Sequence, residues 1–185
     1  VNHPLDCPVC DKGGECPLQD LTFRYGPGST RMTFSKQTFE KPIPISPLIA
    51  LDRERCILCY RCTRFSEEVA QDGQLVAVNR GAQSMIATFE DTPYRAPFSG
   101  NVTELCPVGA LLPTQYRFEA RPWEIQNVPT VCGLCPVGCN TWVTTREGRT
   151  LRTLSRNHPE VDEGWLCDKG RFTHDHLRAP DRIRL

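Results

Sequence analysis

The stretch that decides the fold is Cys56-Ile-Leu-Cys59-Tyr-Arg-Cys62, in which two residues separate each cysteine from the next. A short apolar run, Leu48 to Leu51, precedes it. Three thiolates at this spacing can hold one corner of a compact iron–sulfur cluster, because the backbone turns around the inorganic core. A structural zinc site is the main alternative. Such sites usually pair two separate knuckles of two cysteines, so a triple run favours iron and sulfide.

The fourth cysteine of this pattern is missing from its expected place. In bacterial ferredoxins a further cysteine follows after three residues, and in two-cluster members it binds the other cluster. Here Ser66 stands at that position. A partner run should end in a Cys-Pro pair, as Cys106-Pro107 does. Counting back from Cys106 by the same spacings leads to residues that cannot bind iron as thiolates: Val102, Ser99 and Ala96.

The pattern therefore predicts a two-cluster scaffold that has lost one site and kept the other. The retained site has four cysteine ligands: Cys56, Cys59, Cys62 and Cys106.

Three more cysteines lie near the start of the sequence, at Cys7, Cys10 and Cys16, one ligand short of a four-ligand site. His3 precedes Cys7 by four residues and is a candidate for the missing ligand. An imidazole replaces thiolate in some clusters, where it raises the reduction potential. An isolated histidine can equally be an ordinary surface side chain.

The number of cysteines favours His3 as a ligand. Three sites of four ligands need one ligand more than the eleven cysteines of the chain. Asp6 and Asp11 are weaker candidates, because carboxylates prefer harder metals. His3 is the nearest neutral donor.

The last group of cysteines has gaps of two, three and twenty-seven residues: Cys132, Cys135, Cys139 and Cys167. The residues in the long gap predict a hairpin, with strands over 140–146 and 150–154. A hairpin returns the chain so that Cys167 can meet the first three cysteines. A zinc knuckle fits poorly, because a single distant cysteine follows the short first half.

Composition indicates a loop-rich chain without affinity for nucleic acid. The 185 residues carry no net charge, so nothing favours nucleic acid or an acidic membrane surface. Sixteen prolines and thirteen glycines indicate short elements and a small core, which metal clusters can staple. No apolar run is long enough to cross a membrane, and no signal peptide is visible in a sequence that begins at Val1. An odd number of tightly grouped cysteines argues against disulfides and indicates a reducing, cytosolic compartment.

The local pattern predicts an α+β fold in three parts: residues 1–47, 48–125 and 126–185. Helices are predicted over 17–25 and 63–71, and a short helix capped by Thr103 should carry Cys106 and end at Pro113. Besides the hairpin, strands are predicted within 30–39 and over 75–78 and 85–89.

Several charged side chains lie near the cysteines without an evident role. Four arginines flank the central run: Arg53, Arg55, Arg61 and Arg64. We expect a solvated basic face, and the less favoured alternative is that one or two of them offset the charge of a cluster and tune its potential. Three histidines of the last part are expected at the surface, since its site already has four thiolates: His158, His174 and His176.

In their order along the chain, these motifs resemble the large iron–sulfur subunit of respiratory complex I, NADH:quinone oxidoreductase. Each motif by itself is shared with related proteins, but their order together with the half-empty ferredoxin unit, which carries the Cys106-Pro-Val-Gly-Ala-Leu stretch, is highly specific. The resemblance covers essentially the whole chain. It implies a ferredoxin-like module between two further cluster-binding parts. The first is a segment with one histidine and three cysteine ligands, and the last is a [4Fe-4S] domain of the molybdopterin-oxidoreductase type.

The resemblance also implies three [4Fe-4S] clusters. Their ligands would be His3, Cys7, Cys10 and Cys16 in the first site; Cys56, Cys59, Cys62 and Cys106 in the second; and Cys132, Cys135, Cys139 and Cys167 in the third. Lys169 matches a lysine between cluster and pterin in molybdenum enzymes, although complex I does not use that metal site.

The implied function is electron transfer, with no substrate site in this segment. Electrons would come from NADH through flavin, pass the ferredoxin-type and His-ligated sites, and continue toward quinone, with the third cluster off this path. Implied partners are the flavin- and NADH-binding subunit, a [2Fe-2S] subunit and the quinone-side subunits of the peripheral arm. The expected location is peripheral, on the cytoplasmic face of the cell membrane, without a membrane span. The family's [2Fe-2S] domain should precede residue 1, and a long molybdopterin-enzyme-like domain should follow residue 185.

Three other functions compete with this one. The catalytic subunit of an NAD-linked molybdenum formate dehydrogenase shares the motif order but usually keeps the second ferredoxin site. A diaphorase-type subunit of an NAD-reducing hydrogenase should end soon after the ferredoxin unit. A zinc-binding scaffold without redox function would hold zinc in place of iron and sulfide.

Overall fold

Short helices and three small antiparallel sheets, joined by long loops, form the part of the chain that the computed structural model describes, residues 3–183. The α-helices are α1 (Pro17–Tyr25), α2 (Arg61–Arg64), α3 (Asn101–Leu105) and α4 (Asp168–Phe172). The strands are β1 (Ile43–Pro44), β2 (Ile49–Leu51), β3 (Leu75–Val78), β4 (Met85–Thr88), β5 (Leu111–Pro113), β6 (Gln126–Val131), β7 (Asn140–Arg146) and β8 (Arg149–Ser155). The 3-10 turns are Cys7–Val9, Gly81–Gln83, Phe89–Asp91, Thr114–Tyr116, Pro122–Glu124 and Thr173–Arg178. The predicted α+β, loop-rich class is confirmed.

The central part is built around the sheet β1-β2-β5, whose strands are all antiparallel. Every residue of β2 is buried, because its two neighbours cover both edges and the main apolar cluster covers its faces. The hairpin β3-β4 has the predicted strands, with β4 ending at Thr88, one residue earlier than expected. Leu75 and Ile86 of this hairpin join the same apolar cluster.

The helix after the central cysteines starts two residues earlier than predicted. It runs as α2 and continues as a π-helical turn over Phe65–Val69. It ends at Val69, two residues before the predicted end, and Gln71 and Gly73 then adopt positive φ angles of 54° and 57°. The π-turn places Phe65 and Ser66 inside the core.

The last part contains the predicted hairpin and one strand that the sequence did not reveal. β7 and β8 pair across Glu147 and Gly148, both with positive φ. β6 adds to the other edge of β7. Buried and exposed residues do not alternate in β6, because all of its residues are exposed. Pro129 suits the position of β6 at the edge of this sheet.

Two further predictions are wrong, while α1 has the predicted bounds. No strand forms within 30–39, where polar residues offer no apolar face to bury. Thr103 lies inside α3, where its hydroxyl donates to the carbonyl of Gly100 at 2.8 Å, and does not cap the helix. Cys106 is therefore the residue that ends α3, and the chain beyond it forms β5.

Buried ion pairs join the three parts. Arg171 of α4 is 3% exposed, donates to Asn101 Oδ1 at 3.0 Å and pairs with Glu104 of α3. Arg152 of β8 donates to both carboxylate oxygens of Glu15, at 3.1 and 2.5 Å. Bidentate pairs of this kind fix orientation as well as distance. Across residues 3–183 no helix has both the length and the apolar character needed to cross a membrane.

Candidate iron–sulfur centres

The four cysteines of the ferredoxin-type site line one cavity. Its remaining walls are mostly apolar: Leu51, Ile57, Tyr60, Arg61, Ile86, Val108, Ala110 and Leu111. Leu58 and Tyr60 have positive φ angles of 52° and 59°, so the backbone curls around the cavity between successive cysteines. Cys106, the fourth ligand of the predicted set, lies at the end of α3 and lines the same cavity.

The electrostatics of this cavity favour a bound cation. Burial raises the pKa of Cys62 to about 12, and the neighbouring Cys106, Cys56 and Cys59 add to the rise. Burial likewise raises the pKa of Cys56, against a hydrogen bond from the Leu58 amide to its sulfur at 3.4 Å. Four thiolates cannot coexist here without compensating positive charge, which iron supplies. The residues present therefore fit an iron–sulfur cluster.

The N-terminal cysteines are held by a chain of tight turns. The amide of Cys10 donates to the carbonyl of Cys7 at 3.3 Å, and the amide of Gly13 donates to that of Cys10 at 2.9 Å. Cys16 ends the loop as the N-cap of α1, ahead of a proline that suits the first helical position. Cys10 and Cys16 are buried and Cys7 is exposed.

Both buried thiols pack against the loop that follows Cys106. Cys16 Sγ lies 3.6 Å from the carbonyl oxygen of Pro107. A methyl group at Gly109 would overlap Cys10 Sγ. The first site and the ferredoxin-type site are therefore separated by one short loop, Cys106–Gly109.

Two features of His3 are those expected of a metal ligand. Its Nδ1 is buried and without a hydrogen-bond partner among the described residues. Burial lowers its pKa, and the charge of Arg55 lowers it further, which favours the neutral imidazole that binds iron.

The two alternative carboxylates differ in how far they are engaged. Asp6 accepts from Lys41 at 2.8 Å and from Arg55 at 3.0 Å. Asp11 accepts from the amide of Phe118 at 2.8 Å through Oδ1, while its Oδ2 is buried without a hydrogen-bond partner among the described residues. Ligation by His3 stays a prediction, with the engagement of Asp6 in its favour.

The third group of cysteines lies where β6 ends, where β7 begins and where α4 begins. The amide of Cys132 donates to the carbonyl of Cys139 at 2.8 Å, which closes the loop that carries Cys135. Cys167 is the N-cap of α4, and its sulfur accepts from the amide of Gly170 at 3.4 Å. Gly170 also faces Cys132 Sγ.

Electrostatics indicate that this group is close in space. Burial raises the pKa of Cys139, and Asp162, Cys132, Cys167 and Cys135 contribute in that order. Asp162 accepts from three amides, those of Asn140, His158 and Gly164, at 2.7 to 2.9 Å, and so shapes the loop before Cys167. Lys169 reaches the carbonyl of Leu134 at 3.4 Å, close to the cysteine loop.

The positions of the lost second ferredoxin site are buried and filled by packing: Ser66, Ala96, Ser99 and Val102. The Ser66 hydroxyl pairs with Asp72 and accepts from the amide of Leu75 at 3.2 Å. The Ser99 hydroxyl donates to Asp168, directly after Cys167. The Ser66 hydroxyl therefore forms hydrogen bonds within the core, and the Ser99 hydroxyl contacts α4.

The predictions that the four arginines form a solvated face and that the three histidines lie at the surface are partly wrong. Arg61 and Arg64 are exposed as predicted, whereas Arg55 is only 5% exposed and belongs to an ion-pair network. His174 is buried, with Nδ1 3.3 Å from the carbonyl oxygen of Arg171, because the 3-10 turn after α4 folds back on the sheet. His176 is exposed.

No three His, Cys, Asp or Glu side chains in the described residues 3–183 are grouped to hold a single metal ion.

Three family models match different parts of the chain. Residues 1–31 match the model of the "NADH-ubiquinone oxidoreductase-G iron-sulfur binding region". Residues 46–112 match that of the "NADH-quinone oxidoreductase subunit 3, ferredoxin-like domain". Residues 125–179 match the "Molybdopterin oxidoreductase Fe4S4 domain". The class is thus an iron–sulfur protein with [4Fe-4S]-binding domains.

Curated relatives give the family within this class. The NADH-quinone oxidoreductase G subunit of Streptomyces coelicolor is 50% identical over 99% of this chain and 22% of its own length. The G subunit of Mycobacterium tuberculosis is 50% identical over 99% and 23%, and Thermus thermophilus subunit 3 is 49% identical over 95% and 24%. The chain belongs to the family of these NADH-quinone oxidoreductase subunits, which carry the label G or 3, and it spans under a quarter of their length.

A solved structure shares part of the fold. The crystal structure of an NAD+-reducing [NiFe]-hydrogenase in the H2-reduced state superposes with a TM-score of 0.55 and 27% identity. The match covers 64% of this chain and 52% of the hydrogenase chain.

Sequence reasoning assigned no structural role to three residues that shape the sites: Pro107, Gly109 and Asp162. The first two follow Cys106 in a Cys-Pro-Val-Gly stretch, which signals a tight turn. Nothing local marks Asp162, since its role depends on amides that the fold brings together.

Proposed function

We propose that this chain holds three [4Fe-4S] clusters and relays electrons within an NADH-quinone oxidoreductase. The proposed ligands are His3, Cys7, Cys10 and Cys16; Cys56, Cys59, Cys62 and Cys106; and Cys132, Cys135, Cys139 and Cys167. A bound cluster takes up and gives back one electron with little change of geometry, at a potential set by ligand charge, hydrogen bonds and exposure.

The observation that carries the relay is the loop shared by the first two sites. Cys106 would bind one cluster, and Pro107, the next residue, lies against Cys16 of the other at 3.6 Å. Gly109 brings the backbone against Cys10. The two cofactors would therefore be linked by a few covalent bonds and one van der Waals contact, without intervening solvent.

The residues around the two sites shield part of each ligand set from water. Apolar side chains line the ferredoxin-type cavity, and Cys10, Cys16, Cys62 and Cys106 are each at most 8% exposed, whereas Cys7 and Cys59 are exposed. A low dielectric strengthens the effect of every nearby charge on a potential.

The third site would have a structural role. Its cysteines are half-buried or exposed, and its loop docks on the filled second ferredoxin site. We propose three functional units, residues 1–47, 48–125 and 126–185.

The proposed partners follow from the family. They are the flavin- and NADH-binding subunit, the [2Fe-2S] subunit and the quinone-side subunits, on the cytoplasmic face of the cell membrane. A [2Fe-2S] domain before residue 1 and a molybdopterin-enzyme-like domain after residue 185 are proposed for the longer protein.

The hydrogenase likeness favours a second candidate, a subunit that passes electrons between NAD and a hydrogenase. The match to a molybdopterin-oxidoreductase domain and the higher identity of the quinone oxidoreductase relatives speak for the first proposal. Molybdenum analysis of the full-length protein separates both from a formate dehydrogenase.

The test is an anaerobic iron and sulfide count with low-temperature paramagnetic spectra on the full-length protein. Alanine variants at Cys7, Cys59 and Cys135 should each remove four iron and four sulfide, and the first two should also slow electron transfer from NADH to quinone. Zinc in place of iron, or iron content that no variant changes, contradicts the proposal.

A further inference from the structure

Arg55 is a buried cation next to a proposed ligand, Cys56, in the sequence. Its side chain is 6% exposed and lies between two carboxylates. Its Nε is 3.0 Å from Asp6 Oδ2 and 3.1 Å from Asp52 Oδ2. Asp52 also accepts from the amide of Arg55 at 3.3 Å, so the arginine has one fixed conformation.

The Arg55 side chain lies close to the first site, although its sequence neighbour belongs to the second. A Cβ atom built on Gly109 would lie within 4 Å of both Cys10 Sγ and Arg55 Cδ. Burial opposes the charge of Arg55, yet its pKa is raised, and Cys10 is the strongest charge partner behind that rise, ahead of Asp6 and Asp52. The same interaction opposes the rise that burial causes in the pKa of Cys10.

Five charged side chains of the described residues, Arg55 included, form this network. Asp6 is shared with Lys41, whose Nζ lies 2.8 Å away, and Lys41 also pairs with Glu54. Asp52 packs beside the backbone of the β2-to-cysteine loop, where it accepts from the amide of Glu54 at 3.0 Å. The three carboxylates outnumber the two cations, so the network would be more negative without Arg55.

We propose that Arg55 sets the reduction potential of the cluster in the first site by holding a fixed positive charge beside Cys10. This role rests on the cluster binding proposed above. Reduction adds one negative charge to that cluster, and a buried cation nearby stabilises the reduced state more strongly than an exposed one. Arg55 is then a positioning and tuning residue that does not bind iron.

Removal of the arginine takes one positive charge from the surroundings of Cys10, which become more negative. The potential of the first cluster should fall, and that of the ferredoxin-type cluster should move less.

The experiment is a redox titration, followed by paramagnetic resonance, on the anaerobic full-length protein. Loss of a signal in Cys7→Ala assigns that signal to the first site. Arg55→Gln should lower its midpoint, Arg55→Lys should lower it less, and Asp52→Asn should raise it. The matched control is Arg64→Gln, because Arg64 also lies close in sequence to a proposed ligand, two residues after Cys62, but is 70% exposed in its side chain.

The outcomes separate this role from the cluster binding itself. Unchanged first-site midpoints in Arg55→Gln and Asp52→Asn, or shifts of equal size in Arg64→Gln, overturn the role of Arg55 while the clusters remain. If the Arg55→Gln protein does not hold the first-site cluster, the Asp52→Asn variant alone tests the role of Arg55. A first-site midpoint that does not rise in Asp52→Asn then overturns that role. A wild-type protein without the Cys7-dependent signal overturns the proposed function, and with it this role.

Discussion

The rings of Phe65 and Trp165 lie with centroids 5.0 Å apart and planes inclined by 45°. Phe65 comes from the π-turn directly before Ser66, and Trp165 comes from the loop that leads to Cys167. Leu166, the next residue, exchanges two hydrogen bonds with the Asn101 side chain, at 2.9 and 3.1 Å. The third cysteine site is thus docked where the second ferredoxin site has been lost.

Trp165→Ala should therefore loosen the third site from the central part. Truncation of a large packed aromatic costs about 3 kcal/mol, and the aromatic pair adds about 1 kcal/mol. We expect a lower unfolding temperature of the full-length protein, followed by loss of cluster absorbance. Trp123→Ala is the control, because Trp123 is 75% exposed, and an equal shift in both variants would argue against this docking role.

Gly109→Ala should remove the cluster of the first site and spare the ferredoxin-type cluster. The added methyl overlaps Cys10 Sγ, and a sulfur bound to iron cannot rotate away as a free thiol can. Iron content and paramagnetic spectra measure the effect. Gly28→Ala is the control, since nothing lies within 4 Å of that position. Full iron content in Gly109→Ala contradicts the packing described here.

Arg171→Met should destabilise the protein by about 3 kcal/mol, because it leaves Glu104 and Asn101 without their buried partner. The double variant Arg171→Met/Glu104→Leu should recover part of this loss. Arg64→Met breaks an exposed pair with Glu68 and should leave stability almost unchanged, because solvent screens that pair. Thermal unfolding of the three variants provides the test, and similar shifts for Arg171→Met and Arg64→Met would be inconsistent with it.

His3→Cys should keep the first cluster but lower its midpoint potential. A thiolate in place of a neutral imidazole adds one negative ligand charge. Redox titration measures the shift, with His176→Ala as a control at an exposed histidine. An unchanged spectrum and midpoint would count against ligation by His3.

Cys135→Ala should destabilise the last part of the chain without slowing electron transfer between the other two clusters. Cys135 is exposed and lies in the site away from the Cys106–Gly109 loop. The measurement is NADH:quinone activity of the assembled complex together with its unfolding temperature. A large loss of activity in a variant that still assembles would place the third cluster on the main path.

Local sequence alone determined the cysteine groupings, α1 and both hairpins. Ligand spacing is a property of a few consecutive residues, and the turn at Glu147-Gly148 needs only residues that tolerate positive φ. The loss of the second ferredoxin site could also be deduced from Ser66 and its counterparts, because a missing thiolate is a matter of residue type.

Only the tertiary structure decided which charges face which site. Arg55 is adjacent to Cys56 in the chain, yet its side chain and Cys10 Sγ both approach Gly109. The edge strand β6, the burial of His174 and the docking of Trp165 likewise depend on partners far along the chain. Burial and Coulomb energy depend on distances in space, which sequence separation does not give, whereas the covalent spacing of ligands can be read directly from the chain.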